Sequence, residues 1–122
     1  MTELPLNYIG EFGIALLITT VVETITLLAL IRFVFKVSAR EIRADRIIGV
    51  GILASALTLP YVWFVIPNCI PSRFWFVVTA ELFAFTIEMI IYRKLLGFRW
   101  FMALILSLVC NVLSFCSGLL LF

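Results

Sequence analysis

The chain has 122 residues, of which 65% are apolar and 13% are charged. A soluble domain has roughly a quarter of its residues charged, and a domain of this size still exposes a large surface that needs polar cover. Nine basic and seven acidic side chains cannot supply that cover, and the mean hydropathy of +1.25 agrees. The composition therefore excludes a soluble globular domain and predicts an integral membrane protein.

Four stretches are long and apolar enough to cross a bilayer, which needs about 20 mostly apolar residues. These stretches cover residues 9–34, 47–67, 74–92 and 100–122. The connections between them contain no repeat and no low-complexity linker, so we expect a single domain over residues 1–122. The predicted fold is all-α, an integral membrane bundle of four transmembrane helices.

Basic residues are concentrated at two of the three connections. Eight of the nine lie in segments 36–46 and 93–99 or at the adjoining Arg32, whereas Arg73 stands alone in the connection 68–73. Since basic loops are retained in the cytoplasm, we predict that segments 36–46 and 93–99 are cytoplasmic and that both termini lie outside. This topology explains the basic loops without a nucleic-acid partner.

The residue types that are missing limit the chemistry. Histidine is absent, which removes the commonest general base and the commonest zinc ligand. The three cysteines form no C-x-x-C pair, and no glycine-rich phosphate loop occurs. Cys69 and Cys116 are both predicted to lie near the outer side of the membrane. They either form a disulfide or, as we favour, remain inert thiols. We predict no cofactor, and we expect the first span to be retained because no basic segment precedes it, unlike a cleaved signal peptide.

Each span carries one stripe of polar or small side chains, which lipid disfavours and which should therefore converge inside the bundle. Close helix packing explains the small and hydroxyl residues, but carboxylates are costly in a membrane and indicate a function. We expect aromatic residues at the span ends, Tyr92 among them, to anchor at the headgroups. The stripes recur every three or four residues and consist of Thr19, Thr20, Glu23 and Thr26; Gly51, Ser55 and Thr58; Glu81, Glu88 and Tyr92; and Ser107, Asn111, Ser114 and Gly118.

Four of these residues are predicted to share one depth. Counting eleven residues from the inner end of each span reaches Glu23, Thr58, Glu81 and Asn111. At about 1.5 Å per residue this depth is roughly 16 Å, near the middle of a hydrocarbon core about 30 Å thick. We predict that these residues form a transport or ion-binding site in which Glu23 and Glu81 share a proton or a cation. The rival interpretation is a structural network in which Glu23 bonds a threonine and Glu81 bonds Asn111.

Two features flank this layer. Pro60 has no N–H to donate and crowds the carbonyl of Ala56, so we expect a kink there and a freed carbonyl that Thr58, water or a cation would satisfy. Closer to the cytoplasmic end, Glu88 lies one turn from the end of the third span. We expect it to form a structural ion pair with Arg32.

Length, four-span layout and a glutamate in the first span, Glu23, resemble the small multidrug transporters, although the strong charge bias departs from that family. The predicted spans carry the carboxylates of Glu23 and Glu81 but no basic side chain at the same depth. This pattern favours transport or conduction of protons, cations or a cationic solute. Because four short helices enclose little space, we expect a homo-oligomer to form the path. The alternative is a non-catalytic subunit or assembly factor of a larger membrane complex, whose helices would supply bases. An intramembrane enzyme that uses carboxylates, with or without a divalent metal, is the third and least favoured interpretation.

Overall fold

The computed structural model describes residues 6–121, with side chains described for 7–120. The N-terminal residues 1–5 and residue 122, the end of the fourth predicted span, lie outside the described part. The described part contains no β-strand. Its four long helices are α1 Leu6–Ala29, α2 Ala44–Pro60, α3 Arg73–Leu96 and α4 Trp100–Leu121. Each of them, taken with its helical continuation, is long and apolar enough to cross a membrane, which confirms the all-α four-helix membrane fold.

Two helices continue through a π-helical turn. Helix α1 runs on through Leu30–Val34, and α2 runs on through Tyr61–Val65 into the four-residue helix Ile66–Cys69. The second π turn begins directly after Pro60, whose missing N–H and bulky ring disturb the α-helical pattern. The chain therefore passes the proline by widening its helix, and it remains helical as far as Cys69.

The helices form a square bundle. Helix α1 packs against α2 and α4, and α3 packs against the same two neighbours. Short connections between consecutive helices make their directions alternate, as in an up-down-up-down bundle. Helices α1 and α3 therefore face each other across the diagonal, and side chains from both meet at the centre.

The outer faces of the bundle are apolar. Leu17, Leu82 and Leu120 are 66%, 60% and 87% exposed, and similar side chains continue these faces on all four helices. Water would make such a surface unstable, whereas hydrocarbon solvates it. These faces are the ones that contact lipid.

The two ends of the bundle are packed differently. The end that carries the basic loops is filled by one hydrophobic cluster made of Leu27, Ile31, Ile47, Val50, Ala54, Tyr92, Leu96, Phe98, Ala103, Leu106 and Cys110. At the opposite end, the rings of Tyr8 and Phe12 pack against those of Trp63 and Phe64. The Tyr8 hydroxyl also donates to the Trp63 carbonyl at 2.5 Å. We call the end with the hydrophobic cluster the packed end, because its side chains close it. At the opposite end, the aromatic contacts hold α1 against α2.

Candidate functional site

A cavity of about 230 Å³ lies between the four helices. Its lining begins at Glu23 and Glu88 and extends away from the packed end, past Trp63 to Ala15 and Leu119. The hydrophobic cluster lies directly beyond Glu23 and Glu88 on the other side. The cavity is therefore a pocket with its floor at the packed end, and it does not continue through the bundle.

All four residues of the predicted layer line this pocket. Glu23 comes from α1, Thr58 from α2, Glu81 from α3 and Asn111 from α4. Glu88 lines it as well. The convergence follows from the stripes, since a bundle that exposes its apolar faces to lipid turns its polar stripes toward the centre.

The closest carboxyl pair is Glu23 with Glu88, which differs from the predicted pair of Glu23 with Glu81. The carboxyl groups of Glu23 and Glu88 are close enough to hydrogen-bond each other, whereas Glu81 acts on both only through its charge. Glu23 and Glu88 are 2% and 1% exposed. Two neighbouring carboxylates repel each other strongly at low dielectric, so a proton or a cation at this pair would stabilise it.

The predicted depth was wrong for α3 because the end of that helix was placed too early. Helix α3 continues past Tyr92 to Leu96, which puts Glu88 about two turns from the helix end instead of one. The inner end of α1 is also shortened, since Leu30–Val34 winds as a π turn with more residues per turn. Both differences bring Glu88 to the level of Glu23 and leave Glu81 nearer the mouth of the pocket.

A hydroxyl group supports each carboxyl of the pair. Ser55 donates from its Oγ to Oε2 of Glu23 at 2.9 Å. Tyr92 donates from its hydroxyl to Oε1 of Glu88 at 3.1 Å. These two bonds hold the Glu23 carboxyl from the neighbouring helix α2 and the Glu88 carboxyl from its own helix α3, and so fix their orientation.

The predicted ion pair between Arg32 and Glu88 is not formed. The Arg32 guanidinium donates to the carbonyls of Val37 and Ile42, at 3.0 and 2.5 Å. Backbone carbonyls in a connection after a helix have no partner within the helix. A guanidinium has five N–H donors and can therefore bind two of these carbonyls at once. Arg32 therefore stabilises the connection after α1, and the partners of Glu88 are Tyr92 and Glu23.

The rival network predicted from the sequence is not formed either. Glu23 accepts from Ser55, not from a threonine. Asn111 donates from its amide nitrogen to the carbonyl and the hydroxyl of Ser107, at 2.7 and 3.2 Å, not to Glu81. The amide is satisfied within its own helix because Ser107 lies one turn away on the same face.

Thr58 also differs from its predicted role. Its hydroxyl donates to the carbonyl of Ala54 at 2.8 Å, which is not the carbonyl of Ala56 that the ring of Pro60 crowds. A threonine in a helix reaches the carbonyl four residues before it most readily. The hydroxyl hydrogen of Thr58 is therefore used within its own helix, and only the lone pairs of its oxygen remain for the pocket.

No basic side chain lines the pocket. Within residues 6–121 the one ion pair is Arg43 with Asp45, at 3.3 Å on the surface. Over the same part of the chain, no three His, Cys, Asp or Glu side chains converge to hold a metal ion. The three carboxyls are thus intramembrane acids without a protein base, and their spacing does not favour a compact metal centre.

Two contributors to the site were not predicted from the sequence. Ser55 was interpreted as a small packing residue, and Tyr92 as a headgroup anchor, yet both are fully buried at 0% exposed. The four-residue spacing of Glu88 and Tyr92 was the signal that placed the two on one helix face. Cys110 adds a weaker contact from its Sγ to the carbonyl of Glu23 at 3.8 Å. Cys69 and Cys116 are free thiols.

Comparison of the chain with protein-family models, with curated proteins and with solved structures finds no match. The geometry of the pocket is therefore the basis for assigning a function.

Proposed function

We propose that the chain transports protons or a cationic solute across the membrane, with the pocket as its binding site. The observation that carries this proposal is that Glu23, Glu81 and Glu88 line one intramembrane pocket with no basic side chain among the described lining residues. Buried carboxyls need a proton or a positive partner because an isolated charge in hydrocarbon is very costly. A solute cation or protons would supply that partner.

The arrangement supports an exchange mechanism. In the empty pocket, Glu23 and Glu88 share a proton, held in place by Ser55 and Tyr92. A cation that passes Glu81 and reaches the pair stabilises the ionised form of both carboxyls, which lowers their affinity for the shared proton and promotes its release. The binding of solute is thereby coupled to the release of a proton.

Access to the pocket is from one side. The hydrophobic cluster closes the packed end, so transport requires a second conformation in which this cluster separates and the opposite end closes, as in alternating access. With the basic loops in the cytoplasm, the open mouth faces outside together with both termini.

Flux measurements on the full chain in lipid vesicles test the proposal. Vesicles that enclose a pH-sensitive dye and carry an imposed cation gradient should show proton movement with the native chain. Glu23→Gln and Glu88→Gln should each lower the rate at least tenfold, because glutamine keeps the size of the side chain but cannot exchange a proton. Glu11→Gln is the matched control, since Glu11 is exposed near the start of α1 and does not line the pocket. Equal rates for the native chain, both variants and empty vesicles would refute transport.

A subunit of a larger membrane complex is the second candidate, and one observation favours it. Glu81 also borders an apolar crevice of about 400 Å³ on the outer face between α3 and α4, whose lining includes Phe85 and Leu108. A partner helix that carried a basic residue could pair with Glu81 there. The mass and stability of the chain purified alone in mild detergent separate the two functions. A homo-oligomer or a stable monomer favours transport, whereas an unstable chain that Glu81→Gln stabilises favours a missing partner.

A further inference from the structure

We propose that the solute is a small protonated amine that donates N–H hydrogen bonds, and that the pocket selects against quaternary ammonium ions. This assignment rests on the proposed transport function and adds the substrate class. It follows from which hydrogen-bonding groups of the pocket are already used and which remain.

The hydrogen-bond donors around the pocket are directed into the protein. The Ser55 hydroxyl donates to Glu23 and the Thr58 hydroxyl donates to the carbonyl of Ala54. The amide nitrogen of Asn111 donates to Ser107, whose carbonyl is an acceptor, so this bond also fixes which end of the amide is oxygen. The donors of these three side chains are therefore not available to a ligand.

The acceptors, in contrast, remain directed at the pocket. Asn111 is 8% exposed and lines the pocket, and both of its described hydrogen bonds use the nitrogen, which leaves its Oδ1 without a partner. Thr58 retains its lone pairs, and the carboxyls of Glu23, Glu81 and Glu88 add further acceptor oxygens. The oxygen of Asn111 faces the pocket and accepts no described hydrogen bond from the protein, so a ligand that donates hydrogen bonds complements it and the other acceptors.

An ammonium group matches this lining. It has three donors, no acceptor and one positive charge, and so it can satisfy several oxygens while neutralising a carboxylate. A quaternary ammonium ion has the charge but no donor, and it would leave the oxygen of Asn111 unpaired. Thr19 and Ser114 also line the pocket, and their hydroxyls can accept from such a ligand because a hydroxyl rotates to suit its partner.

The size and walls of the pocket indicate a short apolar tail. A volume of about 230 Å³ is below the roughly 300–1,000 Å³ of pockets that hold drug-sized ligands. The wall toward the mouth is formed by Trp63, Phe115 and Leu119, which suits an alkyl group.

Three related cations test this assignment directly. n-Propylammonium and trimethylammonium are isomers with equal charge and mass but three and one N–H donors, and tetramethylammonium has none. Binding to the purified full chain can be followed by the fluorescence of Trp63 after Trp75→Phe and Trp100→Phe remove the other two tryptophans. Affinity should decrease in this order and fall at least tenfold from the first to the last, the loss expected for one hydrogen bond to a charged group.

Replacing the oxygen of Asn111 tests its role. Asn111→Leu keeps the approximate size and should weaken n-propylammonium about tenfold while leaving tetramethylammonium unchanged. Thr58→Val, nearly isosteric, provides the same test in case the first variant does not fold. Glu11→Gln should bind as the native chain does.

Two outcomes would overturn the amine assignment: equal or tighter binding of tetramethylammonium, or no binding of any of the three cations. The flux assay separates this result from failure of transport. Movement of tetramethylammonium that depends on Glu23 would leave the transport function intact and refute the amine. Selective amine binding without any flux would support the amine assignment and refute transport.

Discussion

Gly51 of α2 lies in close contact with Thr24 of α1, the residue that follows Glu23. A Cβ atom at this position would lie 2.6 Å from Oγ1 of Thr24 and 3.3 Å from both Cα and Cβ of Thr24. Rotating the threonine side chain would relieve the first contact but not the contact with the backbone. The change Gly51→Ala must therefore push the two helices apart.

The cost can be worked out from these contacts. Overpacking of this kind costs about 1–3 kcal/mol, and the better helix propensity of alanine offsets up to about 1 kcal/mol. We expect Gly51→Ala to lower the free energy of unfolding by up to about 2 kcal/mol relative to the native chain and by about 1–3 kcal/mol relative to Gly49→Ala, which has the same gain in propensity. Since Ser55 lies one turn from Gly51 and Glu23 is next to Thr24, the separation should also lengthen the 2.9 Å bond between Ser55 and Glu23 and reduce flux.

Gly49→Ala is the matched control, because a Cβ there meets nothing within 4 Å and the change affects propensity alone. Thr24→Ala removes a buried hydroxyl that has no partner, so it should not destabilise the chain, and it should restore part of the loss in the double variant with Gly51→Ala. Unfolding in mixed detergent micelles, followed by circular dichroism, measures the stability of the native chain and of these four variants. If Gly51→Ala were as stable as Gly49→Ala, the close approach would have no energetic consequence and this explanation of the glycine would be refuted.

Two further predictions concern the network and the topology. Tyr92→Phe removes the hydroxyl that donates to Glu88 at 3.1 Å, and it should cost about 0.5–1.5 kcal/mol of stability in the same unfolding assay; no loss would mean that the bond contributes nothing. Single cysteines in place of Ser38 and Ser72, in a chain whose native cysteines are replaced, should react with an impermeant thiol reagent on whole cells only at position 72. Labelling at position 38 alone would reverse the proposed orientation.

The sequence was sufficient to predict the fold and the lining of the pocket, because both depend on large energies. Apolar stretches of membrane-spanning length predict helices that satisfy their own backbone groups. The cost of placing Glu23 and Asn111 against lipid then directs them inward, whereas Glu81 lines the pocket and also borders the crevice on the outer face. Neither argument needs the exact end of a helix or a particular rotamer.

The pairing of side chains could not be predicted, since it depends on shifts of a single turn. The π turn after Ala29 and the extension of α3 to Leu96 both change the level of the residues that precede them, and neither is evident in the sequence pattern. Likewise, the sequence does not show whether Arg32 binds the carboxyl of Glu88 or backbone carbonyls of the following connection. The path of that connection brings the carbonyls of Val37 and Ile42 to its guanidinium. The sequence pattern gives the face of each residue, but the level along the bundle axis needs the packed structure.

The position of the carboxyl pair relates the pocket to the packed end. Tyr92 belongs to the hydrophobic cluster and donates to Glu88, and Cys110 belongs to the same cluster and contacts the carbonyl of Glu23. A ligand that neutralises the pair therefore changes the bonding of Tyr92, which helps to close the packed end, whereas Cys110 contacts the backbone carbonyl of Glu23 and not its carboxyl. Because packed interiors switch between discrete arrangements and do not deform gradually, the proposed transport function predicts that occupation of the pocket and separation of the cluster are coupled through the bond between Tyr92 and Glu88. On that proposal, the carboxyls that bind the cation lie directly against a residue that must move to release it.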